Sequence, residues 1–344
     1  MTACSFITGV CGVALTGAER AFLREARPWG LILFKRNIEA ADQVAALTAS
    51  FREAVGTNAP VLIDQEGGRV QRLGPPHWPN YPAAAVYGRL YGRDRSAGLA
   101  AARLGARLIA DDLRRLGIDV DCLPVADAPA AGADPIIGDR AYGDTPDQIA
   151  VLAGAAADGL LEGGVLPVVK HLPGHGRATA DSHLRLPVVN ATREELEATD
   201  FAAFRPLAAL PLGMTAHVVF TAYDPLTPAT TSFTMVQQVI RGSIGFKGLL
   251  MSDDVSMGAL SGSIAERTRS ALAAGCDLVL HCNGKLDEMQ AVATESPPLA
   301  GEAARRAAAA LAARRAPAAI DIAEARRTFA AMLAGTAGTR RAAS

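Results

Sequence analysis

Eight short apolar runs punctuate this chain: Phe6–Val10, Leu31–Phe34, Val61–Asp64, Val120–Val125, Pro167–His171, Met214–Val219, Leu249–Asp253 and Asp277–His281. Between them lie Ala-, Leu- and Arg-rich stretches with helical spacing, including Ala40–Ala54, Arg93–Leu116, Pro146–Glu162, Glu194–Phe204 and Ile264–Ala274. A strand covered by helices on its outer face and by packed side chains on its inner face reads as a near-continuous apolar run. Strand-helix alternation repeated eight times predicts an α/β fold, the (β/α)8 TIM barrel. A doubly wound sheet also alternates, but it rarely uses eight equal units, and no GxGxxG follows the first run. At 344 residues the chain is read as one barrel domain over 1–336 and a disordered tail over 337–344, with no internal repeat or second domain. The Ala/Arg-rich segment from Glu302 to Ala334, interrupted near Pro317, is expected to pack outside the barrel.

With 34 basic residues against 35 acidic ones, no global field recruits nucleic acid or an anionic membrane. Five cysteines (Cys4, Cys11, Cys122, Cys276 and Cys282) form an odd set without a CxxC pair and read as reduced, buried packing residues. The apolar start from Ala3 to Leu15 has no Lys or Arg before it, so it reads as a strand of the fold rather than a secretion signal. No uncharged apolar run approaches the roughly 18 residues that span a bilayer. Together these features predict a cytoplasmic protein.

A barrel places chemistry where its strands end and the following loops begin. Polar residues obey that rule: Asp64, Gln65 and Glu66 close the third run, Asp127 follows the fourth, Lys170 and His171 end the fifth, His217 lies in the sixth, and Asp253 and Asp254 end the seventh. Charges inside apolar runs are costly to bury unless paired or used. Internal salt bridges could account for one or two of them, whereas six or more converging on one barrel face point to a site.

Two loops carry most of the information. Lys170-His171-Leu172-Pro173-Gly174-His175-Gly176 followed by Asp181-Ser182-His183 invites a zinc reading, but Pro173 and Gly174 break the helix that would align His171 with His175, and no HExxH occurs. The better reading is a Gly-rich catalytic loop with an Asp-x-His dyad, in which Asp181 orients the His183 imidazole and raises its pKa above the free value of about 6.5. A merely solvated polar loop remains open on the residues alone. Asp64-Gln65-Glu66-Gly67-Gly68-Arg69-Val70-Gln71-Arg72 lacks the GKS/T continuation of a phosphate loop. Its mixture of carboxylates and guanidinium forks suits a polyhydroxylated ring, although a structural Asp–Arg pair gives the same pattern. Asp253 and Asp254 should point to opposite faces of their strand, and a carboxylate at that depth is a candidate nucleophile toward an anomeric carbon.

LILFKRN at 31–37, IDQEGGRVQR at 63–72, GDRAYGDTP at 138–146, VVKHLPGHGRATADSH at 168–183, MTAHVVF at 214–220 and FKGLLMSDDVSMGAL at 246–260 resemble family 3 glycoside hydrolases, specifically the compact single-domain bacterial β-N-acetylglucosaminidases of cell-wall recycling. The resemblance implies a TIM-barrel hydrolase with Asp253 as nucleophile, His183 as proton donor and acceptor, and Asp181 as the group that tunes His183. It assigns Asp64, Arg72, Arg140, Lys170 and His171 to holding the terminal sugar. It further implies a monomer without metal or organic cofactor, acting on N-acetylglucosamine β-1,4-linked to 1,6-anhydro-N-acetylmuramic acid and its peptides. A β-glycosidase or phosphorylase of other specificity, or a non-catalytic muropeptide-binding barrel, are the alternatives. Two departures stand out: Leu172 occupies a position where Phe is common, which should be neutral packing, and VADAPAAGADP after the fourth run could alter the rim of the site.

Overall fold

The computed structural model describes residues 2–182 and 185–334; His183, the expected proton donor, and the 337–344 tail lie outside them. Eight parallel strands close a barrel: β1 (Cys4–Thr8), β2 (Pro28–Leu33), β3 (Val61–Ile63), β4 (Val120–Asp121), β5 (Leu166–Leu172), β6 (Leu212–Thr215), β7 (Leu249–Asp254) and β8 (Leu278–His281). Each pairs with its neighbours in chain order, and β8 closes on β1 through Phe6 opposite Val279. The chain is therefore a single-domain (β/α)8 barrel, as the alternation predicts.

Ile7, Ile32, Leu62, Val168, Leu212, Leu249 and Leu278 fill the interior, while Phe6, Leu31, Ile63, Val169, Leu250 and Val279 pack against the surrounding helices. Strand side chains alternate between these two layers. Leu62 has no exposed surface, so truncating it to alanine costs about 2–5 kcal/mol.

Helix starts follow local chemistry. Thr16 and Glu19 form a capping box before Gly17–Ala26, and Pro146 opens Pro146–Glu162 behind the Thr145 cap. The helix expected over 93–116 forms as Arg95–Arg115, capped by Asp94, whose extended backbone and carboxylate accepting from the Ala97 N–H at 3.0 Å separate it from a further helix, Ala84–Arg93. The helix expected over 194–204 stops at Ala198, where Thr199 and Asp200 turn to bind Arg177.

The Ala/Arg-rich segment forms helices Gly301–Ala312 and Ile322–Ala334. The first lies under the barrel, with Ala307 and Ala310 packed into the interior cluster, so it plugs the N-terminal end rather than only lining the outside. Arg306 reaches Asp277 at 2.9 Å, and Arg314 pairs with Asp119. Among the described residues no helix is long and apolar enough to cross a membrane.

Candidate active site

At the opposite, C-terminal end of the strands a cavity of about 320 Å³ opens, large enough for a sugar ring. Asp64, Arg72, Arg140, Lys170, His171 and Asp253 all line it. Asp181 is half-buried one position outside that lining, beside Ser182, which does reach the cavity.

The floor is a charge network. Lys170 lies 2.7 Å from Asp64 and 2.7 Å from Glu66, and Arg72 meets the second Asp64 oxygen at 3.0 Å. Arg140 forks onto both Glu66 oxygens at 2.8 Å. Burial works against every charge here, but the partners prevail. Lys170 and Arg140 pull the Glu66 carboxyl down to about 2, Lys170 and Arg72 hold Asp64 far below the carboxylate range, and the two carboxylates keep Lys170 above its ordinary pKa. Glu66, to which the sequence reading gave no sugar-binding role, is thus the hub for two of the three cations.

A hairpin positions Arg72. Residues Gln65–Gly67 pair antiparallel with Val70–Gln71. The Gln65 side-chain carbonyl accepts from the Arg72 and Leu73 N–H groups at 2.9 Å each. The turn requires glycine: Gly67 has φ of 90°, and a Cβ there would sit 2.4 Å from the Pro82 carbonyl oxygen.

Lys170 and His171 are consecutive, yet both face the cavity. Register against β6 slips between Val169 and Leu172, and such a bulge turns two successive side chains toward one side. Leu172 continues into the outer core with no exposed surface, as neutral packing requires. Asp127, fully buried after β4, holds His171 through Nδ1 at 2.7 Å and accepts from the His175 N–H at 2.6 Å. Despite its burial, the neighbouring His171 charge and these hydrogen bonds hold Asp127 below its ordinary pKa. Neither Asp127 nor His175 received a role from sequence; the signal was a carboxylate following an apolar run and the second histidine of the glycine-rich loop. The departing rim segment brings Ile136 and Ile137 into the cavity wall, where Arg69 donates to the Pro135 carbonyl at 3.0 Å.

Strict alternation fails at β7 as well. Both Asp253 and Asp254 touch the cavity, because the register against β8 slips between Met251 and Asp254. Their engagements differ. Asp254 accepts from the Ser256 N–H at 2.9 Å, the Ser256 hydroxyl at 2.7 Å and the Cys282 N–H at 3.1 Å, which ties it to the backbone. Asp253 accepts from the Asp254 N–H at 2.8 Å and lies close enough to His175 to influence its ring. His217 lies past the end of β6 and is structural: Nε2 faces the Asp254 carbonyl at 3.0 Å and Nδ1 the Thr230 hydroxyl at 2.7 Å. Among the described residues no group of three or more His, Cys, Asp or Glu side chains could hold a metal ion.

The profile of the glycosyl hydrolase family 3 N terminal domain matches residues 9–304. The chain belongs to glycosyl hydrolase family 3. This family 3 chain is 39% identical over 279 residues to a β-hexosaminidase of Alkalilimnicola ehrlichii, covering 80% of this chain and 79% of that one. Its fold is similar to NagZ from Neisseria gonorrhoeae, solved in complex with N-trifluoroacetyl-D-glucosamine, with a TM-score of 0.81 and 32% identity over 97% of this chain and 99% of that one. A family 3 β-N-acetylglucosaminidase from Paenibacillus superposes with a TM-score of 0.83 at 29% identity, covering 95% and 67% of the respective chains. As a family 3 member the chain is a glycoside hydrolase.

Proposed function

We propose that this enzyme is an exo-acting, retaining β-N-acetylglucosaminidase that removes terminal N-acetylglucosamine from 1,6-anhydro-N-acetylmuramic acid and its peptides during cell-wall recycling. Its activity class is that of a β-N-acetylhexosaminidase, the function its curated relatives carry. One observation carries the reading: Asp64, Arg72, Arg140, Lys170, His171 and Asp253 meet in a single cavity sized for a sugar. The working unit is a cytoplasmic monomer.

In this reading the fixed cations and carboxylates of the floor grip the hydroxyls of the terminal ring, and binding energy holds the anomeric carbon over Asp253. An Asp253 oxygen attacks that carbon while the bond to the aglycone oxygen breaks, and His183 gives the departing oxygen its proton. Asp181 orients and tunes that imidazole. Water then attacks the glycosyl ester; His183 takes its proton, the Asp253 carboxylate is released, and two inversions leave the β configuration intact. An acetamide-assisted route would need a free second carboxylate beside Asp253. Asp254 is a poor candidate, because its oxygens already accept three hydrogen bonds.

Chromogenic β-glycosides of N-acetylglucosamine, glucose and xylose, assayed with and without phosphate, test the proposal, with the anhydromuramyl disaccharide as natural substrate. Turnover confined to N-acetylglucosaminides and independent of phosphate is expected. Preference for the glucoside, or release of a sugar phosphate, would place the enzyme among family relatives of other specificity; binding without turnover would make it a sugar-sensing barrel.

A further inference from the structure

We propose that Arg69 is a positioning residue of the site: it holds the carbonyls of Pro135, Ile136 and Ile137, and through them aims the Arg140 guanidinium at the sugar. The inference rests on the reading that Arg140 grips the terminal ring. Arg69, Ile136, Ile137 and Arg140 all line the cavity, although Arg69 follows β3 and the others follow β4. Nη2 of Arg69 donates to the Pro135 carbonyl at 3.0 Å, to the Ile136 carbonyl, and to the Ile137 carbonyl at 3.4 Å. Arg140 hangs on two of the same three oxygens. Its Nη1 donates to the Ile136 carbonyl at 3.2 Å, and its backbone N–H donates to the Ile137 carbonyl at 2.9 Å. Glu66 occupies Nε and Nη2 of Arg140, so the Ile136 contact is what directs its remaining edge.

Local structure fixes both partners before they meet. Gly68, next to Arg69, has φ of 59°, and a Cβ there would sit 2.7 Å from the Ala83 Cβ, so the turn that carries Arg69 depends on this glycine as well as on Gly67. The same hairpin delivers Arg72 to Asp64, and one short turn thus serves two arginines with separate targets. On the other side, the Asp134 carboxylate accepts from the Ile136 N–H at 2.9 Å, and Ile137 packs with Val125 and Ala141. Exposure separates aim from stability. The Arg69 side chain is 44% and its ion-pair partner Asp139 53% exposed, so that pair contributes little to folding, whereas Arg140 and Glu66 are 9% and 4% exposed. A planar guanidinium donates only along fixed directions, and a tilt of Arg140 therefore misdirects the N–H groups left for the ring.

The test measures kcat and KM for an aryl β-N-acetylglucosaminide, together with the melting temperature, in Arg69→Ala, Arg69→Lys, Arg140→Lys and the double variant Arg69→Ala/Arg140→Lys of the intact enzyme. For Arg69→Ala we expect KM to rise about 10-fold while kcat and the melting temperature stay nearly unchanged, because the weakened grip holds the ring alike in ground and transition states. Arg69→Lys should recover part of the loss, since an ammonium can still donate to these carbonyls. In the Arg140→Lys background, adding Arg69→Ala should raise KM by less than about 3-fold, because its effect runs through a guanidinium that is no longer there. An unchanged KM in Arg69→Ala, or losses that multiply in the double variant, would overturn the assignment. Arg140→Lys is the separate check on the underlying reading: a wild-type KM in that variant would mean that Arg140 does not hold the sugar, whatever Arg69 does.

Discussion

The Lys170 ammonium meets the Asp64 carboxylate at 2.7 Å across a separation of 106 positions in the chain. Lys170 comes from the bulged end of β5 and Asp64 from the residue after β3, with β4 between them. Neither charge is tolerable alone at that depth, since the Lys170 side chain is 3% and that of Asp64 14% exposed. The pair therefore builds the floor of the site and makes it sensitive to the loss of either partner.

Replacing Lys170 with methionine keeps the length of the side chain but leaves Asp64 and Glu66 facing one another without their shared cation. Breaking a buried pair in this way costs about 3–5 kcal/mol, so urea melts at pH 7 should show a loss of that order. kcat/KM should fall at least about 100-fold, because the sugar loses a fixed donor in a dry site. An unchanged midpoint together with unchanged kinetics would remove Lys170 from both roles.

Asp121, at the end of β4, predicts an unusual alkaline limb. Its carboxyl is fully buried; one oxygen accepts from the Gln65 N–H at 3.0 Å, and the other has no partner among the described residues. Burial first, and then the Asp64 and Glu66 charges, raise its pKa to about 8 despite that hydrogen bond and Lys170. A group whose folded pKa is raised stabilises fully below its unfolded value near 3.9 and loses that contribution as pH rises toward 8. Asp121→Asn, which cannot ionise, should therefore gain stability relative to wild type between pH 5 and 8, by about 1–3 kcal/mol. Parallel stability curves for the two proteins across that range would contradict the buried neutral carboxyl.

Adjacent carboxylates at the end of β7 should separate by role. Asp253→Asn is expected to lower kcat by at least about 10³-fold with little effect on the melting temperature, and a 2-deoxy-2-fluoro glycoside should leave its label on Asp253 in peptide mass spectra. Asp254→Asn removes the acceptor for Ser256 and Cys282, so it should lower the melting temperature first. A label on Asp254 would exchange the two roles, and reproducible absence of any adduct would favour attack by the substrate's own acetamide.

Most of the architecture was legible in the sequence because the rules that set it are local. Burial on both faces makes each barrel strand an apolar run, and all eight runs became strands. The barrel rule then placed Asp64, Lys170, His171 and Asp253 at one end without any contact being known, and family resemblance added Arg72 and Arg140. The helix end at Ala198 was missed, since the side chains of Thr199 and Asp200 anchor on Arg177, and that outweighed helical spacing there.

The sequence by itself thus determined the barrel, the end of it that carries chemistry, and the residue types available there. Tertiary structure alone decided which of them share a face and which partner each charge takes. Period-two alternation sends Lys170 and His171, or Asp253 and Asp254, to opposite sides, and both pairs reach the cavity where the register against a neighbouring strand slips. The hub role of Glu66 and the bridging role of Asp127 are likewise properties of elements distant in the chain. Buried charges select partners by proximity in a low-dielectric interior, and proximity exists only once the barrel has closed.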